Sequence, residues 1–172
     1  MDFLELAQKR YSSRKYEEKK VEEEKLLKIL EAGRVAPSAG NLQPVKSIVI
    51  REKAGLNILN KCTTTYGAPI AIIVCGDHTI AGIRPSDRKS MLDIDVSIVI
   101  DHMMLEATSL GLGSVWIGGA FDPNTIKKEF NLPEEIEPVS ILAIGYSADK
   151  AFPNRHDKTR KALSETIMYE NM

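Results

Sequence analysis

Three stretches of the chain carry residue types that do chemistry. In Arg10-Tyr11-Ser12-Ser13-Arg14 two arginines flank two hydroxyls. Guanidinium forks match the oxygens of a phosphate, and serine hydroxyls add short donors, so the segment fits an anion clamp. The same composition fits a solvated basic turn. Pro37-Ser38-Ala39-Gly40-Asn41-Leu42-Gln43-Pro44 is a loop pinned by proline at both ends. Its two carboxamides each offer a donor and an acceptor, the pattern demanded by the edge of a heteroaromatic ring. Plain turns also use such residues. Val115-Trp116-Ile117 reads as strand and ends on Gly118-Gly119, a pair that lets a backbone approach something flat. Arg155, Lys158 and Arg160 form a second basic cluster in the tail.

The element that must organise these stretches is a helix over Val96–Leu110. Val99, Ile100, Met103, Ala107 and Leu110 recur at helical spacing, and Ile98, Met104 and Leu105 widen the stripe. A helix apolar over most of its perimeter needs cover from the rest of the chain or from a second copy. Gly111 is placed to cap it and Gly113 to turn the chain into the next strand, whereas a dinucleotide fingerprint has its glycines between strand and helix. Around this spine the pattern predicts helices over Phe3–Lys9, with Asp2 and Glu5 as a capping box, over Val21–Ala32, with Leu26, Leu27 and Leu30 inward, over Lys53–Cys62, and from Asp122-Pro123 to Phe130. Strands are predicted over Lys46–Ile50, Pro69–Cys75 and Val139–Tyr146. His78 falls in a polar loop, and His102 reads as structural or interfacial. The tail from Phe152 to Met172 ends in an alternating stretch, Leu163 to Tyr169, with no evident partner in its own chain.

Composition sets the outer limits. At 172 residues, 43% hydrophobic and 27% charged, the chain suits one domain with a real core, taken as 1–172. A net charge of −1 offers no electrostatic case for nucleic acid or an anionic membrane. The longest apolar run is too short for a bilayer and the first residues lack signal-peptide character, so a cytoplasmic protein is expected. Cys62 and Cys75 have no metal-type spacing and read as free thiols.

Together, and in this order, the arginine–serine segment, the amide loop, the spine from Asp95 to Leu105, Leu110-Gly111-Leu112-Gly113-Ser114-Val115-Trp116-Ile117-Gly118 and the basic tail resemble the nitroreductase family of flavin enzymes. The resemblance implies an α+β, three-layer fold in which a mixed or antiparallel sheet is flanked by helices around a long buried one. It further implies a homodimer with exchanged C-terminal ends, FMN at the subunit interface, and electron transfer from NADH or NADPH to an acceptor by alternating half-reactions. Arg10 and Ser12, beside Tyr11, would hold the FMN phosphate with Lys158 and Arg160, and Arg155 is a further candidate. Arg14 would lie at the pyrimidine edge of the ring. Pro37, Ser38, Ala39, Asn41 and Gln43 would come from the other subunit, and Ile117, Gly118 and Gly119 would lie against the ring. No catalytic side chain and no metal are expected, since the flavin performs the chemistry.

Two departures from the family pattern stand out. Val45 follows the Gln-Pro where an aromatic residue is usual, and the chain lacks room for the insertion that forms a substrate lid, which argues against lid-dependent chemistry. Nitroaromatics and quinones are the expected acceptors. A non-catalytic FMN-binding or sensing protein with the same residues is the competing reading.

Overall fold

A computed structural model describes residues 1–153 and 155–170; Asn154, Asn171 and Met172, which the tail reading includes, lie outside the described residues. In chain order the elements are α1 (Phe3–Lys9), α2 (Glu23–Arg34), β1 (Val45–Ile50), α3 (Lys53–Cys62), β2 (Ile70–Asp77), α4 (Leu92–Ser109), β3 (Gly113–Ile117), α5 (Pro123–Glu129), β4 (Ile136–Gly145) and α6 (Arg155–Thr159). The strands form one sheet in the order β1-β2-β4-β3, with every neighbouring pair antiparallel.

Strand periodicity explains the layers. Successive side chains of β2 point to opposite faces. Ile70, Ile72 and Val74 therefore enter a core with Leu26 and Ile29 of α2 and Val96, Ile100 and Met103 of α4. Ala71, Ile73 and Cys75 enter a second core with Leu59 of α3 and Ile126 of α5. A strand covered on both faces has no room for polar residues, which is why Ile70–Cys75 is an unbroken apolar run. Burial pushes the Cys75 thiol up to about 12.

The spine is longer than its apolar stripe suggests and begins at Leu92, with Asp93 and Asp95 in its first turn. It ends in a Schellman motif: Gly111 takes φ 77°, its N–H donates to Thr108 O, and Leu112 N–H donates to Ala107 O. Most of its stripe is covered by its own chain, while Ile94 remains exposed and Ile98 and Leu105 are half-buried. The His102 ring lies half-buried with Nδ1 2.9 Å from Ile98 O, and His78 is exposed beside Glu137.

Two local expectations need correction. Helix α2 starts at Glu23 rather than Val21, and Leu27 is 57% exposed, because the inward row is Leu26, Ile29, Leu30 and Gly33 and Leu27 lies off it. Gly113 makes no second turn; it is already a strand residue, whose missing Cβ admits Ser13 and Ser147, the Ser13 Cβ lying 2.9 Å from where its own would be. The alternating tail, expected to find no partner in its own chain, forms a 3₁₀ turn at Leu163–Glu165, and its Leu163, Ile167, Met168 and Tyr169 are all exposed. No helix among the described residues is long and apolar enough to cross a membrane.

Candidate functional site

The arginine–serine segment leaves α1 in extended conformation and runs parallel to the edge strand β3, with Ser12 bridging Ser114 and Ser13 N–H donating to Ser114 O at 3.0 Å. Asp149 gathers the segment from the other end of the chain. Its carboxylate accepts from Ser13 Oγ (2.5 Å), Arg14 N–H (2.8 Å) and Tyr11 Oη (3.2 Å). Burial pushes the Asp149 carboxyl up, but the Ser13, Arg14 and Tyr11 donors more than offset this and hold it below the usual carboxylate range. Helix α6 closes the arrangement, because the Arg155 guanidinium donates to the carbonyls of Gln8 (2.7 Å) and Arg10 and the His156 ring lies 3.0 Å from Gln8 O.

The result is a cavity of about 500 Å³ lined by Arg10, Tyr11, Ser12, Arg14, Arg155 and Arg160, with Phe152 and Asp149 among its other walls. Burial first, then the charges of Arg10 and Arg160, press the Arg155 guanidinium below its ordinary value. Among the described residues no ion pair involves Arg10, Arg14, Arg155 or Arg160. The one carboxylate in the wall, Asp149, is taken up by the Ser13, Arg14 N–H and Tyr11 donors, and converging guanidinium groups that form no ion pair favour a bound dianion, which relieves their mutual repulsion. Lys158 does not line the cavity; its ammonium sits 5.1 Å from the Phe152 ring centroid.

The amide loop is organised differently. Ala39–Asn41 forms one 3₁₀ turn, and Gly40, Asn41 and Gln43 have φ of 59°, 54° and 53°. For a residue other than glycine such backbone costs on the order of 1–3 kcal/mol, so surrounding bonds must hold it. Gln43 N–H donates to Ser38 Oγ (2.9 Å), Asn41 N–H to Ser38 O (2.9 Å) and Gln43 Nε2 to Asn41 O (3.2 Å). Two bonds reach outside: Ala39 N–H donates to Asp95 Oδ1 at 2.9 Å, and at the end of the loop Pro44 O accepts from Asp77 N–H at 2.9 Å. Ser38 and Gln43 line a cavity of about 310 Å³ beside Leu30, Val45 and Val99, and Asn41 is exposed.

Gly118 and Gly119 open onto a third cavity of about 500 Å³, walled by Trp116, Phe121 and Pro138, and a Cβ at Gly119 would meet nothing within 4 Å. Ile117 is buried in the second core. Within one chain, then, Arg10, Tyr11, Ser12, Arg14 and Arg160 come together, and Pro37, Ser38, Ala39, Asn41 and Gln43 do not join them; nor do Gly118 and Gly119. Asp149 and Asp95 are the residues that sequence reasoning missed. Each is one acid among 24, and its partners lie 135 or more residues away for Asp149 and 56 away for Asp95.

The model of the nitroreductase family matches residues 7–62 and 57–146, a span that takes in the clamp, the amide loop, the spine and the glycine pair. This chain belongs to the nitroreductase family. A solved nitroreductase family protein from Clostridium difficile 630 is 53% identical, covers 100% of both chains and superposes with a TM-score of 0.96. The structure of an FMN-dependent nitroreductase from Clostridium difficile R20291 is 30% identical, covers 99% of this chain and 100% of that one, and has a TM-score of 0.82. A Methanothermobacter thermautotrophicus relative, provisionally named an NADH dehydrogenase/NAD(P)H nitroreductase, is 36% identical over 157 residues, 87% of this chain and 79% of its own. The α+β nitroreductase fold therefore holds for this protein, here with an antiparallel sheet. The matched span stops at residue 146, so Asp149 and α6 lie beyond it.

Proposed function

We propose that this protein carries electrons from NADH or NADPH through bound FMN to a nitroaromatic, quinone or similar acceptor, by alternating half-reactions in a homodimer whose sites lie between subunits. Membership of the nitroreductase family makes it an NAD(P)H-dependent flavin oxidoreductase with FMN as cofactor. The cavity where Arg10, Arg155 and Arg160 converge carries this reading, because a terminal phosphate supplies the dianion that those charges lack. FMN, when bound, supplies the hydride acceptance and the return of electrons.

The chain's own residues bind and orient. Arg10, Ser12 and Arg160 hold the phosphate, with Tyr11 and Asp149 fixing the segment that presents them. Arg14, whose guanidinium lies 6.0 Å from the Tyr66 ring centroid, stands beyond the Ser12–Ser114 bridge in the direction of Gly118 and supplies a fixed cation for negative charge that develops on the ring. Gly118 and Gly119 present bare backbone, and the Ser38, Asn41 and Gln43 amides arrive from the second subunit. The exposed apolar ends support the dimer: among the described residues Phe3 and Leu4 of α1 and Leu163, Met168 and Tyr169 of the tail keep more than half of their surface exposed, and burying a large side chain is worth roughly 1.5–3 kcal/mol. This reading takes residues 1–172 as one FMN-binding domain.

Acid release of the flavin from purified protein, followed by chromatography, should yield FMN; FAD as the main species removes the phosphate assignment. Stopped-flow mixing with NADH and with NADPH should bleach the flavin, and initial rates at several acceptor concentrations should give parallel lines. A flavin that neither donor bleaches identifies a binding protein, and intersecting lines mean that donor and acceptor bind together.

A further inference from the structure

We infer that Asp95 is the positioning residue of the amide loop: through its bond to Ala39 N–H it locks Ser38, Asn41 and Gln43 in the backbone conformation that meets the ring. The inference rests on the reading that this loop touches the flavin. Asp77 N–H, which donates to Pro44 O at 2.9 Å, fixes only the end of the loop where β1 begins; the bonds among residues 38–43 join that stretch to itself, spanning two to five residues, and cannot set where it sits on the body of the protein. Asp95 is different, since it is 1% exposed, belongs to the most deeply packed helix and reaches 56 residues along the chain. A hydrogen bond at 2.9 Å to a carboxylate that is itself buried in the core is a stiff tether. The loop needs one, because Asn41 and Gln43 are held at φ values that an untethered chain abandons.

The carboxylate is also half unused. Among the described residues Asp95 Oδ2 is buried without a hydrogen-bond partner, a costly state that an apolar side chain at this place would avoid. What Asp95 does for the loop through Oδ1 accounts for an acid at this site, and the experiment separates the two oxygens. Asn at position 95 keeps an acceptor for Ala39 N–H and replaces Oδ2 by a donor. Proline at position 39 removes the N–H and sets its ring Cδ where the hydrogen pointed, so it both breaks the bond and pushes Asp95 Oδ1 away; it suits the first position of a 3₁₀ turn, and Ser38 at φ −136° and ψ 158° already has the backbone that precedes a proline.

The measurements are FMN and riboflavin affinity and the reduction potential of the bound flavin in the full-length protein. Asp95→Ala should weaken FMN and riboflavin by the same factor, roughly tenfold to hundredfold, leaving their affinity ratio unchanged and shifting the potential. Arg160→Ala should instead collapse that ratio. Asp95→Asn should bind both flavins within about threefold of the parent, Ala39→Pro should reproduce the loss, and the Asp95→Ala, Ala39→Pro double variant should be no worse than Ala39→Pro alone. A folded Asp95→Ala protein with parent-like affinity and potential overturns the inference, as does a loss in Asp95→Asn equal to that in Asp95→Ala. If Asp95→Ala does not fold, the Asn and Pro variants decide the matter by the same criteria. Asn41→Ala with Gln43→Ala tests the underlying reading separately: no effect there removes the loop from the flavin site, whereas an effect there without one in Asp95→Ala and Ala39→Pro removes only the tether.

Discussion

The clamp at residues 10–14 is drawn together from the far end of the chain, with Ser13 and Asp149 separated by 136 positions and Gln8 and Arg155 by 147, whereas the loop at residues 37–44 is bonded almost wholly to itself. The first spends long-range contacts to concentrate positive charge; the second stores backbone strain to present neutral amides. They also open onto different cavities. The difference teaches that one chain holds two halves of unlike construction, a charged half that needs an anion and an amide half that needs a ring edge, and that a second copy is the proposed means of joining them.

Complementation breaks or confirms that division with the largest effect. A subunit with Arg10→Ala and Arg160→Ala and a subunit with Asn41→Ala and Gln43→Ala should each be inactive alone and recover up to about one intact site per heterodimer when co-expressed. Absence of activity in verified heterodimers would place both halves in the same site of one chain.

Next in size is the phosphate end itself. Arg10→Ala or Arg160→Ala removes a charge-assisted contact worth about 1.5–3 kcal/mol, so FMN affinity should fall roughly tenfold to hundredfold with riboflavin affinity unchanged. Titration with both flavins checks this.

The Asp149 tie gives a smaller effect with a pH signature. Its carboxyl is lowered in the folded protein, so it stabilises the clamp fully above the unfolded carboxylate value of about 3.9, and that contribution fades as pH falls below it toward the folded value. FMN retention should therefore drop with acid in that window, and Asp149→Asn should bind FMN more weakly at neutral pH and lose this part of the acid dependence. Equal acid profiles for parent and variant would show that Asp149 does not hold the clamp.

The smallest expected change is that of Lys158→Ala, set against its neighbour in the tail. Arg155→Ala should cost more than tenfold in FMN affinity, because it lines the cavity and ties α6 to the carbonyls of Gln8 and Arg10, whereas Lys158→Ala should cost less than about threefold. The reverse order would restore Lys158 as the phosphate ligand that the family resemblance implied.

Much of this was legible because it is local. The capping box of Asp2 and Glu5, the Asp122 N-cap with Pro123 after it, the Gly111 helix end and the doubly buried β2 all follow from residues within one or two turns of each other. The clamp and loop were legible as residue types for the same reason. Leu27 was misread because two adjacent leucines differ by 100° around a helix, and single-residue phase is what neighbouring apolar positions leave undecided.

The amino-acid order by itself determined the family, the elements and their apolar faces, and the segments able to hold an anion and a ring edge, since each depends on side chains a few positions apart. Only the tertiary structure decided that Asp149 and α6 complete the clamp, that Lys158 turns onto Phe152 and that Asp95 anchors the loop. These are contacts between residues brought close by the packing of the sheet and its two helical layers. No local pattern marks one acid among 24 as the one that packing will bury beneath a particular N–H.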